Sequence, residues 1–337
     1  MSLQRTASTT AEEELKATET DKPRRPRQSK KSTHQPKMSV RKRLRRDLTL
    51  FLLLTPGLLF FLIFQYWALG GYVIAFQDYV PFLGIEGSDW VGLENFQAFF
   101  GDPAVWQAVR NTLQISALQL IFFFPAPIAL AIFLHSVQFD WARKIVQSIV
   151  YLPHFISWVI VVALFQQVLG PVGVVNGWLS DAGLSTIDVI GNPSAFQPLM
   201  VAQLIWKDCG WGMIIFLAAL YRVDEQLYEA AAIDGAGWWR RLWHVTLPSM
   251  RPIIVLLFIL KLGDILTVGF EQIFLQRNAV GPEAAEVLDT FVYFSGVIDG
   301  NWGYATAVGL LKGIIAAVLV YLANKAAHKL GEQGLYR

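Results

Sequence analysis

Six apolar stretches punctuate this chain, near residues 51–74, 112–134, 150–169, 199–221, 253–274 and 304–322. Each supplies the roughly 20 residues that an α-helix needs to cross a hydrocarbon core. The pattern predicts an all-α, polytopic membrane protein with six transmembrane helices. Composition agrees, since 54% of residues are hydrophobic and only 16% are charged, too apolar a balance for an ordinary soluble domain. One polar segment, residues 222–252, stands between the fourth and fifth stretches and calls for its own explanation.

Charge in the connecting segments orients the spans, because short cytoplasmic loops are enriched in Lys and Arg. Arg143, Lys144, Arg222, Arg240, Arg241, Arg251, Lys325, Lys329 and Arg337 fall in alternate segments together with the basic N-terminal tail, leaving only Arg110 and Arg277 in the others. Six spans with both termini cytoplasmic satisfy this distribution and put segment 222–252 in the cytoplasm. Half of all Lys and Arg residues precede Leu48. Residues 1–47 carry few large apolar side chains and are expected to be a disordered tail, with Arg41, Lys42, Arg43, Arg45 and Arg46 beside the first span and its anionic headgroups. A nucleic-acid arm is the competing reading of that cluster, but its place next to a membrane span is the simpler account. The charge-free run 48–76 exceeds the length of a signal-peptide core, so an uncleaved span is expected.

Several chemistries find no support. Cys209 is the single cysteine, so disulfide frameworks and CxxC sites are excluded. His34, His135, His154, His244 and His328 are scattered without metal-ligand spacing, and neither a phosphate-binding GxxxxGK[ST] loop nor a GxSxG elbow occurs. Trp90, Phe96, Phe99, Phe100 and Trp106 crowd an external loop as interface anchors, or as parts of short helices that receive an external partner.

Segment 222–252 reads as two short helices around a tight turn. Asp224 is a suitable N-cap and Glu225 suits the positive end of a helix dipole. Leu227, Ala230 and Ala231 fall near one face, and Gly235 supplies a reversal that a Cβ would resist. Trp239, Leu242 and Trp243 have the spacing of an apolar helix face, with Arg240 and Arg241 expected exposed beside it. Pro248 and Pro252 are expected to end this second helix and start the fifth span.

The segment resembles the cytoplasmic signature of permease subunits of binding-protein-dependent ABC importers, which runs EAA, three residues, Gly, nine residues, Ile-x-Leu-Pro. Glu229-Ala230-Ala231, Gly235 and Leu247-Pro248 match at that spacing, with Val245 in place of Ile. Asp234-Gly235-Ala236 is similar to the sugar-importing, maltose-permease-like branch, whereas Leu242 replaces an aromatic residue common there. Trp206–Trp211, Phe270–Phe274, the run 302–309 and the C-terminal GEQGL resemble the subgroup that imports oligosaccharides from polysaccharide breakdown. The resemblance covers residues 48–337 and implies a type I ABC importer permease fold in a bacterial inner membrane. It implies that Glu229, Ala230, Ala231, Asp234, Gly235, Ala236, Leu247 and Pro248 couple the chain to an ATPase. It also implies a second permease, two cytoplasmic ATPase subunits that use ATP and Mg, and an extracytoplasmic sugar-binding protein, with no cofactor on this chain. An amphipathic hairpin resting on the bilayer is the plainer alternative.

Charged groups inside spans are costly unless paired, hydrated or facing a cavity. Lys207, Asp208, Trp211, Asp264, Glu271 and Gln272 are therefore candidates for a substrate pathway. The structural alternative pairs Lys261 with Asp264 and Lys312 with a neighbouring subunit. An ion-coupled secondary transporter using Asp264, Glu271 and Lys312 is the competing function, and it leaves the EAA spacing unexplained.

Overall fold

The computed structural model describes residues 47–332 and 334–336; the expectation of a disordered tail falls almost wholly outside them. The chain divides into two compact units, Met1–Phe64 and Gln65–Arg337. In the first, helix Leu48–Phe61 carries an internal Pro56, and the Thr55 hydroxyl donates to the Phe51 carbonyl at 2.7 Å. Six helices among the described residues are long and apolar enough to cross a membrane: Leu48–Phe76, Pro103–His135, Trp158–Asp181, Pro193–Leu220, Trp238–Gly263 and Trp302–Lys329. The six expected spans all find a counterpart, with the largest boundary shifts at the second, third and fifth.

Proline and polar side chains explain most of the irregularities. Asp102 caps the second span through the Ala104 N–H at 2.8 Å, and Pro103 opens it where no helical donor is required. Within this span a π-turn, Gln119–Phe123, precedes Pro125. The same device recurs at Leu242–Thr246 just before Pro248. Proline lacks an N–H and crowds the preceding turn, and a widened turn accommodates both defects without breaking the helix. The expected stop at Pro248 is therefore corrected: the second helix of the polar segment runs on into the fifth span, Trp238–Gly263.

The third span starts at Trp158 rather than at Val150. Tyr151 ends a separate amphipathic helix, Asp140–Tyr151, and a 3₁₀ turn, Leu152–Phe155, follows. Gly210 of the fourth span lies against this break, where a Cβ would come within 1.9 Å of the Val150 carbonyl oxygen. The fifth span was expected to reach Phe274, but it ends at Gly263, and a new helix, Phe270–Val280, begins after Gly269. Gly269 has φ +108°, a conformation that other residues rarely adopt. The interrupted backbone is satisfied by the second span: Ser116 donates to the Ile265 carbonyl, and Gln119 to the Val268 carbonyl at 3.1 Å. Irregular backbone at membrane depth is tolerated only with such internal partners.

The fourth span is central. Half of its most apolar window is buried, against 17 to 22% for the other spans of the second unit. Phe196, Leu199 and Met200 pack with Ile115, Val268 and Ile273, while Met213, Phe216 and Leu220 pack with Ala131, Leu134 and Met250. The only ladder among the described residues joins Gln77–Asp78 to Asp89–Trp90 in the loop after the first span, with Phe76 stacked on Trp90 at 5.7 Å.

Candidate functional site

The polar segment folds into a closed joint. Helix Glu225–Ile233 starts at Asp224, whose carboxylate accepts from the Gln226 N–H at 3.0 Å. It ends in a paired return: the Ala236 N–H reaches the Ala231 carbonyl at 2.8 Å and the Gly235 N–H reaches Ala232 at 3.0 Å. This is the Schellman arrangement, which needs a left-handed residue after the cap, and Gly235 provides it with φ +73°. A Cβ there would meet nothing within 4 Å, so the constraint is torsional. The Tyr228 hydroxyl and Thr246 Oγ1, 3.0 Å apart, tie the two helices together.

The outer surface of the joint is unusually apolar. Ile233 is 87% exposed, Trp239 67% and Trp243 62%. Glu229, Ala230 and Asp234 are exposed, Ala231 and Ala236 partly so, and Glu229 bonds to no other described side chain. Leu247 closes the π-turn onto Leu242, and Pro248 follows it at the surface. Arg240 is exposed as expected, whereas Arg241 is half-buried, because its helix continues into the bundle.

The pathway candidates separate into groups. Lys207 is buried, and its ammonium donates to the His154 and Ile156 carbonyls, both at 2.7 Å. It thereby caps the break before the third span. Asp208 lies 2.8 Å from His154 Nδ1, and the imidazole stacks on Trp211 at 4.5 Å with rings 5° apart. Trp211 and Phe155 remain 49% and 72% exposed. His154 and Phe155 were absent from the sequence-derived pathway; no local spacing marks them, because they meet Asp208 and Trp211 only through packing.

Gln272 is buried and donates to the Met200 carbonyl at 2.9 Å and Gln203 Oε1 at 2.8 Å. Its amide is thus committed to a glutamine cluster with Gln276. Asp264 and Glu271 are exposed at the two sides of the fifth-span interruption. The expected Lys261–Asp264 pair is replaced by a bond from Lys261 to Gln119 Oε1 at 3.0 Å. Lys312 pairs with Asp289 of its own chain, so the expected partner in a neighbouring subunit is not required.

A cavity of about 610 Å³ is lined by Asp102, Gln107, Arg277, Glu286, Phe294 and Tyr304 among others. Arg277 Nε donates to Glu286 at 2.8 Å while its guanidinium lies 4.0 Å from the Phe294 ring centre. Among the described residues, no group of three or more His, Cys, Asp or Glu is arranged to hold a metal ion.

Comparisons with known proteins converge. The pattern of the family described as "Binding-protein-dependent transport system inner membrane component" matches residues 124–329. The chain is 48% identical to the polygalacturonan/rhamnogalacturonan transport system permease protein YteP of Bacillus subtilis (strain 168), covering 85% of this chain and 90% of that protein. It is 44% identical to protein LplB of the same organism, over 87% and 92% of the two chains. Among solved structures it is similar to a chain of a bacterial alginate ABC transporter in complex with alginate pentasaccharide-bound periplasmic protein. That likeness has a TM-score of 0.79 and 37% identity, and covers 88% of this chain and 99% of the other.

Proposed function

The chain belongs to the binding-protein-dependent transport system inner membrane components, and from that membership we propose that it forms one half of the membrane pathway of an ABC importer for oligosaccharides. A second permease supplies the other half. Two cytoplasmic ATPases bind and hydrolyse ATP with Mg, and an external binding protein delivers the sugar. Both termini and the hairpin face the cytoplasm. The names of the relatives, with polygalacturonan, rhamnogalacturonan and alginate among their substrates, support an oligosaccharide cargo.

The observation that carries the coupling role is the Schellman-closed hairpin, rigid through Gly235 and Tyr228, with Glu229 unpaired on an apolar exposed surface. Closure of the ATPases would move this body, and its second helix would pass the movement directly into the fifth span with no loop between them. Alternating access then follows if the two orientations of the spans differ in affinity for nucleotide and sugar. Sugar meets the pathway at the exposed aromatic faces of Trp211 and Phe155, with Asp208, Asp264 and Glu271 offering hydrogen bonds. Lys207 and Gln272 act there as supports for the break and for the glutamine cluster.

Reconstitution with the copurifying subunits tests the proposal. Labelled oligosaccharide should accumulate in proteoliposomes only with ATP and the loaded binding protein. Accumulation driven by an ion gradient without ATP would establish the secondary-transporter alternative instead.

A further inference from the structure

A cavity of about 220 Å³ lies behind the hairpin, lined by Ile132, His135 and Ser136 from the end of the second span and by Tyr228, Trp238, Arg241, Leu242 and Thr246. Two nitrogens of its lining residues, Arg241 Nε and His135 Nδ1, are buried without any hydrogen-bond partner. No carboxylate lines the cavity, and Arg241 takes part in none of the ion pairs among the described residues. Arg241 is half-buried and its guanidinium stays protonated, so its buried Nε, left without an acceptor, carries a cost that an acceptor in the cavity removes. A second cation stands nearby: Arg143, itself paired with Asp140 at 2.5 Å, lies 5.8 Å from the ring centre of Tyr221, which meets the His135 ring edge-on.

We propose that this cavity holds the phosphate of an anionic phospholipid. The required ligand is an oxyanion with several acceptors, since Arg241 Nε, and His135 Nδ1 in its Nδ1-protonated tautomer, offer N–H groups from two elements that line one cavity, and the hydroxyls of Tyr228 and Thr246 already satisfy each other. Phosphate matches a guanidinium through paired, charge-assisted bonds. Position selects the lipid as its source. His135 is the last residue of one candidate span and Arg241 stands in the first turn of another, so the cavity sits where two candidate spans end, the level at which headgroups are met. Trp238, 48% exposed at its rim, is the residue type that settles at that depth, and basic pockets between span ends are known acceptors of lipid phosphate. The bound headgroup bridges the second span to the hairpin and fixes their relative position.

The test uses the full chain in nanodiscs of phosphatidylcholine alone or with phosphatidylglycerol, each with and without inorganic phosphate. Native mass spectrometry reads retained lipid, and hydrogen exchange reads residues 228–246. Phosphatidylglycerol should be retained and should slow exchange several-fold in the wild type. The effect should disappear in Arg241→Gln and in His135→Leu, two variants on different spans, and persist in Arg240→Gln. Equal exchange in all discs, or the same loss in Arg240→Gln, overturns the site. Protection by inorganic phosphate in phosphatidylcholine discs overturns the lipid assignment. None of these readouts requires the ATPase, so the result is independent of the coupling role.

Discussion

Lys207 and His154 stand in a relationship that local sequence does not disclose: the buried ammonium donates to the His154 carbonyl at 2.7 Å, while the next residue, Asp208, holds the His154 ring. One turn of the fourth span thus supports both the backbone and the side chain of the break before the third. Lys207→Met should leave two carbonyls without their donor and cost about 3 kcal/mol. Thermal unfolding of the purified chain in detergent checks this. A variant of unchanged stability that no longer transports would place Lys207 on the sugar path instead.

Trp211→Ala should act differently, because the ring is half exposed and its loss removes an apolar face without orphaning a buried polar group. The half-saturating sugar concentration for uptake should rise about tenfold, equivalent to about 1.4 kcal/mol, with the chain still assembled. Unchanged uptake kinetics and substrate range would remove Trp211 from the pathway.

Gln119 serves two partners, donating to the Val268 carbonyl and accepting from Lys261. Gln119→Leu is isosteric enough to fill the space, yet it strands a carbonyl and an ammonium, so a loss of about 2 kcal/mol is expected. Thermal unfolding measures it, together with faster hydrogen exchange at residues 264–269.

Two glycines give a paired contrast. Gly210→Ala would drive a Cβ into the Val150 carbonyl, whereas Gly309, also helical, has nothing within 4 Å of the corresponding position. Overpacking against backbone should destabilise by about 2 kcal/mol or more, and Gly309→Ala should stabilise by up to about 1 kcal/mol through helix propensity. Equal melting temperatures for the two variants would contradict the packing described.

The six spans were legible because membrane crossing imposes length and apolarity together, and the Asp224 cap and Gly235 turn were legible because short-range backbone needs fix residue type locally. The interruption at residues 264–269 was missed because the stretch stays apolar through it; what permits it is Ser116 and Gln119, which lie about 150 residues earlier in the chain. The continuity of Trp238–Gly263 was missed for the opposite reason. Pro248 reads as a stop, but a π-turn absorbs it. His154 joined Asp208 and Trp211 only through folding, and the pairing of Lys312 with Asp289 likewise depends on how helix Leu288–Tyr293 packs against the sixth span.

The central claim is that the hairpin transmits force, and its most direct test is the amount of sugar translocated per ATP hydrolysed by the reconstituted complex carrying Glu229→Lys. Charge reversal at an exposed, unpaired side chain should leave membrane insertion intact. Uptake per ATP should fall about tenfold or more, a coupling loss of at least about 1.4 kcal/mol. Wild-type uptake per ATP together with undiminished ATPase association would contradict the account.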